Sequence, residues 1–583
     1  MKTLNSLMFT SLFAISAMSY AGTYNPTSSD PTTTNTAGGD YTLPATVGFG
    51  NTAFGYYVLP FTTGMHNTGM GDYALSNNTS GSQNTAVGGE TLSSNTTGSN
   101  NAAFGASALY FNTDTSSNTA IGNYALFYLK GSNNTGLGSQ ALSGQHGLST
   151  GSNNVALGFQ ANFKNTTGTG NVSSGYRSLY SNTTGDYNTA QGYNALYGNT
   201  TGLENTAVGS NALVSNKTGS NNAAFGTGAL FFNPDTSSNT AIGSSALYYL
   251  TGGSNNTGLG REALKGGGQG LSSGSNNVAL GYQANFKNTT GTGNVSSGYR
   301  SLYSNTTGSY NTAQGYQALY YNTTGVGNAV LGLYAGLKNT SGSYNSVLGY
   351  NALPNKTTGS YNVALGMNAG SPLTSGNYNV YLANNAGAAT ESNTMRLGQP
   401  NNSTGQARTF IAGIRGVTVA GGIPVYIDAN GQLGTVNSSE RFKTDIHDMG
   451  EASRKLYDLR PVTYLYKDIP QNEAQQREYG LIAEEVAKVY PDLIAYDTEG
   501  NIQTVQYQKL VPMLLNEVQH LHQQNAQEMA KNDSQEQQLS ELKQLVVQVQ
   551  AQNQALQQQL SALQKPLPVA NNATVTGPLA KME

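Results

Sequence analysis

No cysteine occurs anywhere in the 583 residues, which removes any disulfide framework and any thiolate metal site. Charge is scarce as well: Asp, Glu, Lys and Arg together make up 10% of the chain, against the ~25% of ordinary globular proteins. The formal net charge is −3, a balance that argues against wrapping nucleic acid, whose binding is driven by counterion release. Only 16 prolines are present and glycine does not recur at every third position, so a collagen triple helix is excluded. Simple disorder is excluded from the other side, because 37 tyrosines do not fit an aromatic-poor, charge-rich composition. After the first twenty residues no apolar run is long enough to anchor the chain in a bilayer. What is abundant is glycine, at 72 positions, alongside Asn, Thr and Tyr.

The scarcity of charge is uneven. Residues 41–390 carry 17 charged side chains and residues 439–583 carry 32, a step that marks two kinds of structure. At the amino end, Met1-Lys2, a short apolar run from Leu7 to Met18 and the small residues of Ser19-Tyr20-Ala21 form the pattern of a secretory signal. This predicts cleavage after Ala21 and an exported product, secreted or held at the cell surface, with residues 22–44 as a linker.

A pentapeptide of the form Asn-Thr-Ala-apolar-Gly then recurs twenty times, first at Asn51 and last at Asn379. Nearly all steps are 17 residues; Asn134 to Asn154 and Asn256 to Asn277 are longer, through insertions at Ser143–Ser149 and Gly266–Ser272. The insertions mark a larger duplication, with Asn84, Asn205 and Asn328 as equivalent positions. A period of this size means stacked units. In Asn222–Ser238 two short apolar segments alternate with two polar turns, which predicts two strands of four or five residues per unit. One unit cannot bury its apolar positions alone. Stacking places Ala53, Ala86, Ala120 and Ala207 in one column and lets the asparagine amides pair from rung to rung, with glycine at the corners. The expectation for residues 45–390 is therefore a parallel β-roll or solenoid, about 95 Å long at ~4.8 Å per rung.

Sharper chemistry in this region fails. A calcium-binding β-roll needs an aspartate in each glycine-rich turn, and residues 51–383 contain seven acidic side chains. The same shortage counts against a glycosidase, which needs a carboxylate pair. Asp114 and Asp235, equivalent across the duplication, read as turn caps. The many Asn-x-Thr triplets match a glycosylation acceptor but follow from the repeat alone. Tyr180, Tyr303, Tyr320 and Tyr321 read as stacked aromatics or as a binding face. With its Asn-x-apolar-x-Gly core, this region resembles the head repeats of trimeric autotransporter adhesins of the YadA type, although its period is longer. That resemblance implies left-handed coils, a homotrimer and adhesion to a cell-surface glycan or protein receptor.

After Asn379 the rhythm fades into a β-rich connector over 391–438, in which Thr409–Val419 and Ile423–Ile427 read as strands and Asp428-Ala429-Asn430-Gly431 as a hairpin turn. Ser438 then stands five residues before Lys443. A serine and a lysine can act as nucleophile and base, provided that the amine is desolvated enough to lose its proton; on spacing alone a solvated turn is the better explanation of the pair. Downstream lie Leu459-Arg460-Pro461-Val462-Thr463-Tyr464, then Tyr479-Gly480-Leu481-Ile482-Ala483-Glu484-Glu485, Pro491-Asp492-Leu493-Ile494 and Val505-Gln506-Tyr507. With the Ser-x-x-Arg-x-Lys stretch, these motifs resemble the C-terminal intramolecular chaperone and auto-processing domain of phage tailspikes and endosialidases. The resemblance implies that this domain, 439–510, guides trimer folding and then cuts itself off, with Ser438 and Lys443 as the catalytic pair and the cut after Ser438. Many members carry aspartate after the serine; here Ser439 follows, and it remains a rival nucleophile. Glu484, Glu485 and Arg441 read as structural residues, with a place beside the Ser/Lys pair or at a subunit contact as the alternative.

From Val511 one heptad frame runs to 565, with Val511, Val518, Asn525, Asn532, Leu539, Val546, Asn553 and Leu560 at a and Leu514, Leu521, Glu528, Gln535, Leu542, Val549, Leu556 and Leu563 at d. This predicts a coiled coil of roughly 80 Å whose buried asparagines fix register. Pro566 and Pro568 should end it, leaving 566–583 as a tail, and His520 and His522 read as solvated. The whole predicts an all-β solenoid, trimeric by resemblance, followed by an α+β chaperone domain and a trimeric coiled coil, with no cofactor or metal, no nucleic acid and no membrane span. Two alternatives stand beside a secreted adhesin-like fibre: a phage-derived tail-fibre or receptor-binding protein, and, more remotely, a glycan-degrading fibre.

Overall fold

The computed structural model describes residues 34–564 apart from 44–47, 148, 268–271, 400–404, 407–408, 412–413, 415–418, 429–430, 468–475 and 498. The expected leader (1–21) and tail (566–583) lie outside the described residues. Two compact units form, Met1–Phe410 and Ile411–Glu583.

The first unit is a parallel β-solenoid. Twenty-two three-residue strands, from β1 (Thr36–Gly38) to β22 (Met395–Leu397), make one sheet in which each strand pairs in parallel with the next. Register is constant: Thr189 faces Thr206 and Ala190 faces Ala207. Thr135 still faces Val155 and Thr257 faces Val278, so both insertions leave the ladder intact. Within each strand the middle residue points inward and its neighbours outward, which is why Ala86, Ala120 and Ala207 are fully buried.

Each strand from β2 to β21 is preceded by the repeat asparagine, which is buried. Asn188 shows the pattern: its backbone N–H and its Nδ2 both donate to Asn171 Oδ1, at 2.9 and 3.1 Å, and Nδ2 also donates to the Gly202 carbonyl at 2.9 Å. A second amide ladder lies eleven residues further along most rungs, where Asn199 Nδ2 donates to Asn182 Oδ1 at 2.8 Å and Asn182 Nδ2 to Asn165 Oδ1 at 3.0 Å. The buried carboxamides in these columns find partners in neighbouring rungs and, in the second ladder, also in a carbonyl three residues further along their own rung, as Asn199 Nδ2 does with Gly202 at 3.0 Å. The asparagines of Asn165-Thr166-Thr167 and Asn182-Thr183-Thr184 are fully buried, so the folded chain withholds them from a glycosyltransferase.

One expectation needs correction. Each rung contains a single short strand, not two longer ones. The second apolar segment is a turn of alternating handedness: in the rung of Asn188, Asn194 and Leu196 have φ of 52° and 53°, and Leu196 is fully buried. Non-glycine residues thus share the left-handed conformations expected of glycine, at a cost of about 1 kcal/mol or more each that leucine burial offsets. Glycine is obligatory at the corner after the strand, where Gly192 has φ of 137° and a Cβ would lie 2.6 Å from the Gly209 carbonyl oxygen. At the end of the stack Tyr381 fills the core and donates to Glu391 Oε1 at 2.6 Å, and Arg396 Nη2 meets Glu391 Oε2 at 2.7 Å.

The second unit begins with the connector. Tyr426–Ile427 (β23) pairs with Leu433–Gly434 (β24), and the Gly431 N–H donates to the Asp428 carbonyl at 3.0 Å. Ala429 and Asn430 of the expected hairpin turn lie outside the described residues, and among the described residues of 409–419 no strand forms. Next come the antiparallel pair β25 (Val462–Tyr464) and β26 (Glu478–Gly480), helix α1 (Ala483–Val489), the pair β27 (Ile494–Tyr496) and β28 (Ile502–Val505), and helix α2 (Tyr507–Leu563). A small core of Val486, Leu493, Ile494, Val505, Leu510 and Met513 joins them.

Two defects in the solenoid core generate predictions. Asn162 and Asn285 stand in the leucine column of Leu179 and Leu302, fully buried, with no partner for either amide atom. Replacing both by leucine should stabilise the solenoid by about 1–3 kcal/mol each, read as a higher melting temperature. Lys356 replaces asparagine in the second ladder, 2% exposed, with Nζ donating to Asn339 Oδ1 at 2.8 Å, and burial lowers its pKa to about 7. The unfolded chain binds this proton up to the ordinary 10.5, whereas the folded chain binds it only below about 7. Stability therefore rises between those pH values, and the deficit is constant below them. Lys356→Asn should raise the melting temperature at pH 7, and the advantage should shrink as the pH approaches 10.

Candidate functional site

Ser438 follows the β23–β24 hairpin on irregular backbone, and the next residues form one turn of 3-10 helix, Glu440–Phe442. Ser439 caps this turn in an extended conformation, φ −65° and ψ 140°, and its carbonyl accepts the Phe442 N–H at 3.1 Å. Lys443 leaves it, also extended, and its N–H donates to the Glu440 carbonyl at 2.9 Å. Ser438 and Lys443 thus flank a short rigid turn rising ~2 Å per residue.

The single chain brings the two residues near in sequence but does not join them chemically. Among the described residues no hydrogen bond links the Ser438 hydroxyl to the Lys443 amine, and every residue from 431 to 450 is exposed. A lysine acts as a base only where desolvation disfavours its charged form, and none of the described residues covers Lys443. The Ser439 hydroxyl is equally exposed and does not cap its own turn. Arg441 lies over the Phe442 ring at 4.6 Å. Glu485 pairs with Arg460, with Nη2 to Oε1 at 2.5 Å, and that guanidinium holds its carboxyl below the ordinary range. Glu485 therefore ties the start of β25 to α1.

The domain behind this segment is held by a polar contact that the sequence did not reveal. The 3-10 stretch Gly450–Asp458 docks on α2, where buried Ser453 donates to Glu517 Oε1 and Asn516 Nδ2 donates to Ser453 Oγ at 2.6 Å and to the Gly450 carbonyl at 2.7 Å. His520 belongs to this cluster, half-buried with Nδ1 3.7 Å from Glu517 Oε1, so reading it as solvated was wrong; His522 is exposed as expected. Glu517 stands in none of the catalytic motif patterns, and only its pairing across 64 residues exposes its role.

The quoted sequence motifs converge on this fold: Leu459–Tyr464 leads into β25, Tyr479–Glu485 spans β26 and α1, Pro491–Ile494 leads into β27, and Val505–Tyr507 joins β28 to α2. Residues 438–495 match the family model of the chaperone of endosialidase. The C-terminal unit thus carries a domain similar to that intramolecular chaperone, and the match begins at Ser438. No curated protein and no solved structure matches this chain.

Beyond this domain, α2 runs 57 residues. From Leu539 onward every apolar residue at a and d is exposed, including Leu542, Val546, Val549, Leu556 and Leu560. No helix among the described residues is long and apolar enough to cross a membrane. A carboxylate in the seam offers a direct test of what it is for. If helices of other copies pack on it, Leu542→Asp with Val546→Asp should dissociate the full chain to monomers in native mass spectrometry, because each buried, unpaired charge costs several kcal/mol; oligomers of unchanged size would place the assembly contacts elsewhere.

Proposed function

We propose that the protein is a secreted homotrimeric, adhesin-like fibre whose C-terminal intramolecular chaperone gathers three chains, directs their folding and then releases itself by Ser438/Lys443 autoproteolysis. The observation that carries this reading is the unpartnered apolar seam of α2 directly behind a segment that matches the endosialidase chaperone. A 57-residue helix with apolar residues spaced at heptad intervals and exposed to water is half of a contact.

Two further surfaces support assembly. Along the solenoid the third strand residue points outward and is mostly large and apolar: Phe104, Ile121, Leu137, Phe225, Ile242 and Leu259 are each 40–45% exposed. Over the whole stack such a stripe amounts to roughly 1,000 Å², more than the ~300–600 Å² patches of typical monomers and enough for one side of a stable interface. In the connector, Ile423, Val425, Ile427, Leu433 and Val436 are all at least 62% exposed, and two-residue strands do not stand alone in water.

Assembly also supplies what the cleavage site lacks. With 431–450 exposed in the single chain, packing of other copies is the source of desolvation that would let Lys443 take the serine proton. Cleavage would then follow trimerisation, and removal of the helix that helped assembly would leave the solenoid trimer kinetically trapped. Long-range strand pairing is slow and leaves edges open, which is the reason for a temporary clamp.

The match to the endosialidase chaperone also favours a second reading, a phage-derived tail fibre, which would need no leader; a mature amino terminus at Gly22 in the medium supports the secreted fibre and an intact Met1 the phage-derived one. For the processing step, Ser438→Ala and Lys443→Ala should each abolish release of residues 439–583 while trimers still form, and Ser439→Ala should leave release intact. Cleavage that persists in both of the first two variants removes the proposed pair; loss in Ser439→Ala alone moves the nucleophile by one residue.

A further inference from the structure

Away from the strand face, the solenoid carries two rows of stacked rings in each duplicated block. Phe159, Tyr176 and Tyr193 stack at 5.5 and 5.2 Å beside Phe163, Tyr180 and Tyr197 at 5.3 and 5.0 Å. The second block repeats this with Tyr282, Tyr299 and Tyr316 at 5.3 and 4.9 Å, and Phe286, Tyr303 and Tyr320 at 5.0 and 4.9 Å. Stacking therefore accounts for Tyr180, Tyr303 and Tyr320, and Tyr321 meets Tyr320 edge-on at 4.6 Å. Interplanar angles of 16° or less mean that the ring faces cover one another. The rings nevertheless stay partly in water, with Tyr176, Tyr193, Tyr299 and Tyr316 between 37% and 53% exposed.

Cations gather on these rows in a region otherwise poor in charge. Lys164 and Arg177 in the first block, and Arg261, Lys265, Lys287 and Arg300 in the second, each lie within 6.0 Å of a ring centroid. The guanidiniums are held in place: Arg177 Nε donates to Gln160 Oε1 at 2.8 Å and Arg300 Nε to Gln283 Oε1 at 2.7 Å. Glu262 beside them is taken up by Lys265 and Gln283, both at 2.7 Å, so that five of the six cations have no carboxylate ion-pair partner among the described residues.

We propose that this face binds a linear carboxylated polysaccharide laid along the solenoid axis. The excess of fixed positive charge calls for an anionic partner, and guanidinium and ammonium groups bind carboxylates by charge-assisted hydrogen bonds. The six cations form two clusters, Lys164 and Arg177 on the rungs of β8 (Val155–Leu157) and β9 (Val172–Ser174), and Arg261, Lys265, Lys287 and Arg300 on those of β14 (Thr257–Leu259) to β16 (Val295–Ser297), with about 24 Å between them at ~4.8 Å per rung. Duplex DNA carries a charge every ~1.7 Å, far denser than this face can neutralise, and single-stranded nucleic acid binds by stacking bases on open ring faces, which here are covered by neighbouring rings. A polymer long enough to reach both clusters, with carboxylates at intervals near the rung spacing and many hydroxyls, fits both the cations on consecutive rungs and the rows of phenols.

This inference rests on reading the repeat region as an exposed adhesive shaft but not on the cleavage step. The test measures retention of the full expressed protein on immobilised polygalacturonate, dextran and duplex DNA. Binding to polygalacturonate alone, weakened by raising the salt concentration, is expected. The variant Lys164→Gln/Arg177→Gln/Lys287→Gln/Arg300→Gln should lose binding about tenfold or more, while Lys130→Gln/Lys217→Gln, outside the rows, should not. If the quadruple variant melts early, Lys164→Gln/Lys287→Gln, which leaves the guanidinium contacts in place, should still weaken binding several-fold. No retention, equal retention on dextran, tighter binding to DNA, or full binding by the lysine variant overturns the proposal. Native mass and release of residues 439–583, scored on the same samples, separate failure of this face from failure of the trimeric-fibre reading.

Discussion

A buried carboxamide has two donors and an acceptor to satisfy, and in this solenoid it satisfies them chiefly with the rungs on either side. Asn171 Oδ1 accepts from both the backbone and the side chain of Asn188, and the same exchange is repeated from Asn51 to Asn379. One rung alone would leave these groups unpaired at about 1–3 kcal/mol each and could not bury its alanines and leucines. Stability is therefore a property of neighbours, and folding has to solve the problem of starting a stack in which no first unit is stable.

The requirement for neighbours extends beyond the single chain. The outward strand residues, the connector and the α2 seam all place large apolar side chains in water. The same is true of the chemistry, since a serine and a lysine flank a 3-10 turn with neither joined to the other nor shielded from solvent. On the proposed reading, a chaperone-like domain followed by a long heptad helix would supply copies at high local concentration, so that nucleation of the stack and completion of the proposed cutting site would share one cause.

The sequence made the solenoid legible because its period is covalent: columns of alanine and asparagine follow from counting. It did not reveal that the second apolar segment of each rung would be a turn of alternating handedness, since Leu196 at φ of 53° violates local preference and is tolerated only through burial. Lys356 in the asparagine ladder and Asn162 in the leucine column were likewise invisible without the stacking register. In the C-terminal unit the motifs located the strands and helices, whereas the Ser453–Glu517 contact spans 64 residues and has no local signature. Ser438 and Lys443 were found by motif alone; the fold of one chain adds their exposure and separation, not a catalytic geometry.

The central claim is that three chains assemble through a tail that they then remove. Native and denaturing mass analysis of the wild-type product tests it directly. The account predicts a trimer of chains that end at Ser438, together with the separate fragment 439–583. A monomer that retains Glu583 after prolonged incubation would contradict it.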